Sequence, residues 1–222
     1  MSPEPISFSL GQVFTFMFVT LGPIKVIAPF AGMTRGRDGA FARQLALRGA
    51  FISAVALLVA ATIGVRILSK WGVGPAALLL TVGVVLFMVA LRPVIAQYDP
   101  PSVSEAPSRA ADAEPPSVRS LAFSPLAFPT IVTPYGIAVV ILVLKLRGPD
   151  AAMLPILGLL GLILALDFVA MLGARAILRL PVLPSLLLII GTVMGVLQVA
   201  LGVLAMLGGI RLFLGTIGPA TG

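Results

Sequence analysis

Two ionisable residues, Lys25 and Asp167, lie well inside long apolar stretches of this 222-residue chain. A charged side chain at the centre of a membrane costs about 2.5–3.5 kcal/mol on insertion scales, so both side chains should face protein or water. Lys25 lies about 17 residues into one predicted helix and Asp167 about 15 residues into another, so at ~1.5 Å per residue their depths can match. We hypothesise that they pair and that protonation of Asp167 couples proton movement to solute movement. In the alternative, Lys25 snorkels or binds backbone carbonyls while Asp167 lies near the membrane interface.

Two proline-containing segments could bind a ligand through their backbone. The first reads Thr20-Leu-Gly-Pro-Ile-Lys-Val-Ile-Ala-Pro29 and the second reads Ser124-Pro-Leu-Ala-Phe-Pro-Thr-Ile-Val-Thr-Pro-Tyr-Gly136. Proline lacks a backbone N–H and collides with the preceding turn, so Pro23 and Pro29 should open the first helix near the middle of the membrane. The N–H and C=O groups freed there must be satisfied by protein, water or a ligand. A simple kink in each helix is the alternative.

A pair of such breaks would suit a small zwitterion. The N-terminus of a half-helix offers free N–H groups, and its C-terminus offers free carbonyls. The carboxylate of the zwitterion would then lie at the amides of residues 135–137 or 30–32, and its ammonium at the carbonyls before Pro23 or Pro129. The residues predicted to bind the substrate are Thr20, Gly22, Pro23, Lys25, Pro29, Pro129, Thr130, Thr133, Pro134, Tyr135 and Gly136, and those predicted to couple an ion are Asp167 and Lys25.

The residue types exclude several other kinds of chemistry. The chain has no Cys and no His, which removes the usual ligands of zinc, haem and iron–sulfur clusters and the usual Cys or His nucleophiles. It contains no P-loop motif for ATP hydrolysis. We therefore predict that the protein is not an enzyme, and we predict no catalytic residue, no metal and no cofactor.

The composition indicates that lipid surrounds the fold. Only 10% of the residues are charged and 59% are hydrophobic, whereas roughly 25% of the residues of a soluble domain are charged. Six windows carry no charge, and windows of about 20 apolar residues are typical of helices that cross a membrane. The windows are Pro5–Ile24, Gly49–Val65, Trp71–Leu91, Ser120–Leu144, Ala151–Leu166 and Leu180–Ile210. We predict an all-α, polytopic membrane protein with six transmembrane helices.

Residues 97–120 divide the predicted spans into two groups of three. This segment holds five prolines among Ser, Ala and acidic residues and cannot bury enough apolar surface to offset its ordering entropy, so we predict a flexible cytoplasmic linker. The first membrane repeat is then residues 1–96 and the second is residues 121–222. Because three is odd, the two repeats would enter the membrane from opposite sides, each beginning with a proline-broken span. Many secondary transporters are built from such inverted repeats.

The basic residues predict an orientation for a chain of net charge +7. One set of connections carries Arg35, Arg37, Arg43, Arg48, Arg92, Arg109, Arg119, Arg175 and Arg179. The other set carries Arg66, Lys70, Lys145, Arg147 and Arg211. The richer set should be cytoplasmic, so both termini should face outward. We expect this basic face to contact anionic membrane lipids rather than nucleic acid.

Glycines predict where helices approach each other closely. The glycines concerned are Gly191 and Gly195 in the sixth span, and Gly158, Gly161 and Gly173 in the fifth. Small residues at such positions allow close packing within the bundle, and the sharper alternative is a face for a homo-oligomer. Gln198, also in the sixth span, is expected to join helices rather than to contact a substrate.

The stretch Phe18-Val-Thr-Leu-Gly-Pro-Ile-Lys-Val-Ile-Ala-Pro-Phe-Ala-Gly-Met-Thr34 resembles the first-span signature of the MarC family of bacterial integral membrane proteins. A similar Arg-rich loop and helix entry, Ala-Leu-Arg-Gly-Ala50, follow it. Segment 124–136 is similar to the family's fourth-span motif, Pro-Leu-Ala-x-Pro followed by Gly-Pro-Gly, although the Gly-Pro-Gly reads Thr-Pro-Tyr here. The resemblance implies six helices in the inner membrane, an outward N-terminus and kinship with LysE-type exporters of amino acids. Some members are described as transporters of small neutral amino acids.

These features predict an inner-membrane secondary transporter or exporter of a small solute. The predicted substrates are small neutral amino acids such as alanine or glycine, moved by alternating access with a proton or sodium ion as the coupling ion. One alternative is an efflux protein linked to antibiotic resistance, which would need a wide apolar cavity with aromatic residues. The other is a non-transporting membrane scaffold, with helices that run through Pro23 and Pro134 and leave no cavity there.

Overall fold

The computed structural model describes residues 9–95, 117–147, 149–180 and 182–217. These residues form helices and short connections with no strand, which confirms the predicted all-α class. The helices are α1 (Leu10–Leu21), α2 (Ile24–Met33), α3 (Gly39–Val59), α4 (Val65–Lys70), α5 (Pro75–Ile95), α6 (Val118–Leu121), α7 (Pro134–Arg147), α8 (Pro149–Arg179) and α9 (Leu183–Ile217). A π-helical turn, Ala60–Gly64, joins α3 to α4.

Five helical stretches are long and apolar enough to cross a membrane. They are Leu10–Met33, Gly39–Lys70, Pro75–Arg92, Met153–Arg179 and Ser185–Gly215. A sixth span results if Val118–Ile131 and Pro134–Leu146, which meet at 59°, form one broken helix. Large apolar side chains on the outside of the bundle, such as Leu154 at 83% exposed, would face lipid. The chain is a multi-pass membrane protein.

Local sequence explains where several helices begin. The hydroxyl of Ser9 accepts a hydrogen bond from the amide of Gln12, whose side chain in turn accepts from the amide of Ser9. Asp38 caps α3 and Ser117 caps α6 through the amide three residues on. Such caps satisfy amides that have no partner in the first helical turn. The starts of these three helices are therefore determined by residues that are close together in the sequence.

The first span is interrupted between α1 and α2. Gly22 has extended backbone, with φ of −71° and ψ of 171°, and α2 begins after Pro23. Pro29, by contrast, lies inside α2, so the prediction that the helix also opens at Pro29 was wrong. Pro29 removes only the hydrogen bond that its N–H would donate to the carbonyl of Lys25. The rest of α2 continues to Met33 without a second break.

The segment Ala122–Ile131 between α6 and α7 is irregular. Ser124 and Phe128 both have extended backbone. Each precedes a proline, whose ring disfavours the helical conformation in the residue before it. Most of the predicted linker, residues 97–116 of 97–120, lies outside the described residues. Its last residues, 117–120, form the cap and first turn of α6.

Helices α5 and α9 pack closely along each other through glycines. A Cβ on Gly83 would lie 2.6 Å from the carbonyl oxygen of Gly202, and a Cβ on Gly209 would lie 2.9 Å from the carbonyl oxygen of Ala76. The glycines predicted for this role behave differently: a Cβ at Gly158, Gly161 or Gly191 would meet no heavy atom within 4 Å. The other two, Gly173 and Gly195, have only side-chain neighbours at 3.5 and 3.6 Å. Glycines do allow two helices to pack closely, as predicted, but they are not the glycines that were predicted.

Substitution of Gly83 by alanine should lower the melting temperature of the detergent-solubilised protein. The new methyl group would force α5 and α9 apart, and overpacking of this kind costs about 1–3 kcal/mol, or roughly 2–12 °C for a chain of this size. Gly158→Ala is the matched control and should melt at or slightly above the native temperature, because no atom lies within 4 Å of the new Cβ and alanine favours the helix. Equal losses in the two variants would contradict the packing argument.

Two cations join the ends of the bundle. Arg175 of α8 donates hydrogen bonds to the carbonyls of Thr34 (2.6 Å) and Arg37 (2.8 Å) in the α2–α3 connection. We call this the arginine-rich end, defined by Arg35, Arg37 and Arg175. Lys145 at the end of α7 donates to the carbonyl of Val73, which precedes α5, at the opposite end. The cytoplasmic location of the arginine-rich end and the outward location of both termini stay predictions.

Candidate functional site

The break between α1 and α2 frees the last carbonyls of α1, and side chains bind two of them. In a continuous helix the carbonyl of Val19 would accept from residue 23, but Pro23 has no N–H. Instead, Nε2 of Gln198 on α9 donates to it at 2.6 Å. The carbonyl of Thr20 accepts from the ammonium of Lys25, whose side chain reaches back across the break. The break is thus stabilised by protein side chains, one of them from a distant helix.

The second break lies directly against the first. Nζ of Lys25 is also 3.5 Å from the carbonyl oxygen of Ile131, the last residue of the irregular segment, and 5.7 Å from the centre of the Tyr135 ring. The hydroxyl of Thr133 accepts from the amide of Gly136 at 3.1 Å and so caps α7. One ammonium group therefore contacts both proline-containing segments, which meet at this point.

Two glycines lie where the two breaks meet, and neither position has room for a side chain. A Cβ on Gly136 would lie 2.3 Å from Cδ2 of Leu21, the last residue of α1. A Cβ on Gly22 would lie 2.0 Å from the carbonyl oxygen of Phe18. Real Cβ atoms do not approach other heavy atoms so closely, so a larger residue at Gly136 would force the Leu21 side chain to move, and a larger residue at Gly22 would collide with the backbone of α1 itself. Gly22 and Gly136 were both predicted to bind substrate, and in the structure each lies where there is no room for a side chain.

A cavity of about 850 Å³ begins at this junction. Its lining includes Gly22, Lys25, Tyr135 and Gln198 near the junction, and Arg35 at the arginine-rich end. Gln198 is about 15 residues along α9, or ~22 Å from the start of that helix. The cavity therefore extends from the middle of the bundle to one end. Its volume falls within the roughly 300–1,000 Å³ of typical ligand pockets.

Several predicted site residues lie away from this cavity. Thr20 is buried, and its hydroxyl donates to the carbonyls of Phe16 and Met17 in its own helix. Pro29 borders a second cavity of about 550 Å³ between α2 and the irregular segment. The predicted residues that border neither cavity are Thr20, Pro23, Pro129, Thr130, Thr133, Pro134, Gly136 and Asp167. Pro23, Thr133, Pro134 and Gly136 instead shape the two helix starts around the cavity.

Asp167 is completely buried in α8, which packs against α2. Neither of its carboxylate oxygens accepts a hydrogen bond from any described residue. The ammonium of Lys25 is directed at backbone carbonyls, so the two residues form no hydrogen-bonded pair, although they are near enough for their charges to interact. In the described part of the chain, no cluster of three acidic, His or Cys residues could hold a metal ion.

Gln198 was not among the predicted site residues. It joins α9 to α1, as expected, and it also lines the cavity. A signal was present in the sequence, because an amide side chain in the middle of an otherwise apolar span needs a polar partner. The sequence did not identify that partner, the carbonyl of Val19, which lies 179 positions away in the chain.

Comparison with known proteins identifies a family for this chain. The chain matches the model of the MarC family of integral membrane proteins over residues 8–214. No curated protein and no solved structure matches it. The family match covers almost the whole chain, including both proline-containing segments and every helix that contributes to the cavity. This protein belongs to the MarC family of integral membrane proteins.

Proposed function

We propose that this protein is a secondary transporter of small neutral amino acids, such as alanine and glycine. The observation that carries the proposal is the cavity that begins where the two proline-containing breaks meet. Helix breaks near the middle of a membrane are typical of substrate sites in transporters. A broken helix that served only as a kink would need no cavity beside it.

The shape of the cavity supports alternating access between the two sides of the membrane. It extends toward the arginine-rich end, while Lys145 and Val73 join the two halves of the chain at the opposite end. If the arginine-rich end is cytoplasmic, this conformation is open to the inside. The outward-open conformation would then require the contact between Lys145 and Val73 to break.

The polar groups in the cavity suit a small zwitterion. Lys25 offers a positive charge to a carboxylate, and Tyr135 and Gln198 lie beside it. Two of the carbonyls before Pro23, where the ammonium of the substrate was expected, are instead occupied by Lys25 and Gln198, so the proposed binding mode places the carboxylate at Lys25. The wall toward the arginine-rich end is apolar, with Val94, Leu178 and Leu187.

Counterflow in proteoliposomes tests the proposal. Vesicles loaded with unlabelled alanine should take up labelled alanine, glycine and serine, whereas protein-free vesicles should not. The efflux alternative predicts flux of an amphipathic cationic dye instead, since much of the cavity wall is apolar. Absence of flux for every amino acid tested would refute the proposed function, and absence of flux for the dye as well would favour the scaffold.

A further inference from the structure

The side-chain amide of Gln198 has a defined orientation in the cavity. The carbonyl of Val19 can only accept a hydrogen bond, so the group 2.6 Å from it must be the NH₂ of the amide. The oxygen Oε1 therefore points away from Val19. This orientation follows from Pro23, because a residue with a backbone N–H at that position would satisfy Val19 within the helix.

Oε1 of Gln198 is an acceptor without a donor in the described part of the chain. No described residue donates to it, and unlike the oxygens of Asp167 it is not a fully buried atom. Gln198 itself lines the cavity beside Gly22 and Lys25. An amide oxygen in this position needs a donor from water or from a bound solute.

The ammonium of Lys25 and the amide oxygen of Gln198 are complementary to an α-amino acid. Two of the three N–H groups of Lys25 are directed at the carbonyls of Thr20 and Ile131, which leaves one for a carboxylate. The substrate ammonium must then find an acceptor elsewhere in a mostly apolar cavity. Oε1 of Gln198 is such an acceptor on the same cavity wall as the break.

We propose that Oε1 of Gln198 accepts a hydrogen bond from the amino group of the substrate and so selects amino acids over carboxylates that lack this group. The inference rests on the proposed transport function. It assigns to Gln198 a role in specificity that is separate from its contact with Val19. Loss of one hydrogen bond to a charged group should change the discrimination by roughly tenfold or more.

The test compares alanine with propionate, which lacks only the amino group. Gln198→Met should lower the ratio of alanine to propionate counterflow by roughly tenfold, because propionate never uses the amide oxygen. A residue that served only to hold Val19 in place would lower the flux of both solutes equally. Met194→Leu, a change of similar volume on the same cavity wall, is the control and should leave the ratio unchanged.

A second measurement on the native protein does not depend on whether the variant folds. The N-trimethylated analogue of alanine keeps the positive charge but has no N–H to donate. It should compete with labelled alanine at least roughly tenfold more weakly than alanine does. Equal competition, or an unchanged alanine-to-propionate ratio in folded Gln198→Met, would overturn the role of Gln198 while leaving the transport function standing. No alanine flux in the native protein would instead remove the transport function itself.

Discussion

Lys25→Met should reduce amino-acid counterflow by roughly 10- to 150-fold. The substitution removes the positive charge at the proposed carboxylate site and leaves the carbonyls of Thr20 and Ile131 without their donor. A hydrogen bond to a charged group contributes about 1.5–3 kcal/mol, so its loss corresponds to roughly 10- to 150-fold in binding, whereas the unsatisfied carbonyls lower the stability of the fold. Initial rates of counterflow in proteoliposomes measure the effect.

The control for this prediction is Lys70→Met. Lys70 is an exposed lysine in the last turn of α4, outside both cavities, so its replacement should leave counterflow near the native rate. The melting temperatures of both variants separate loss of fold from loss of binding. Near-native flux in a folded Lys25→Met protein would contradict the placement of the substrate carboxylate.

Asp167→Asn should abolish the accumulation of substrate driven by a proton gradient while counterflow persists. The carboxyl group is fully buried without a hydrogen-bond partner among the described residues, and an unpaired buried charge is costly. Its occupancy by a proton should therefore depend on where the ammonium of Lys25 lies. With one proton per solute, a pH difference of about one unit can drive up to roughly tenfold accumulation, and an amide cannot carry the proton.

Asp38→Asn provides a matched control for Asp167→Asn. Asp38 caps α3 by accepting from the amide of Phe41, and Asn is an equally good cap, so this variant should accumulate substrate as the native protein does. The measurement is steady-state accumulation of labelled alanine with and without a pH gradient, each repeated with a sodium gradient. Proton-driven accumulation that survives in Asp167→Asn would exclude a coupling role for this carboxylate.

At the site, features that depend on neighbouring residues could be predicted from the sequence, and contacts between distant residues could not. Pro23 and Gly22 predict the first break correctly, because a missing N–H acts on the chain only a few residues away. The expected break at Pro29 does not form, because α2 loses a single hydrogen bond there and continues. The sequence also placed two charges near the same depth, yet could not tell that Lys25 would prefer carbonyls to Asp167.

Close contacts between helices were likewise not predictable from the spacing of glycines. The spacing between Gly191 and Gly195 is typical of a close helix contact, but these residues border the cavity. The close contact lies instead at Gly83, Gly202 and Gly209. Spacing along a helix shows that glycines share a face, while the position of the neighbouring helix determines what that face contacts.

Composition and local pattern were therefore sufficient for the class of protein, the apolar spans and the first interruption, since these depend on hydropathy and on backbone chemistry within a few residues. The cavity, the contact of both breaks with one ammonium, and the bond from Gln198 to Val19 appear only in the folded chain. Each depends on groups far apart in sequence whose distance is set by the packing of whole helices. For this reason the freed carbonyls were predictable and Lys25 could be named as one candidate to bind them, whereas the bond from Gln198 could not be predicted.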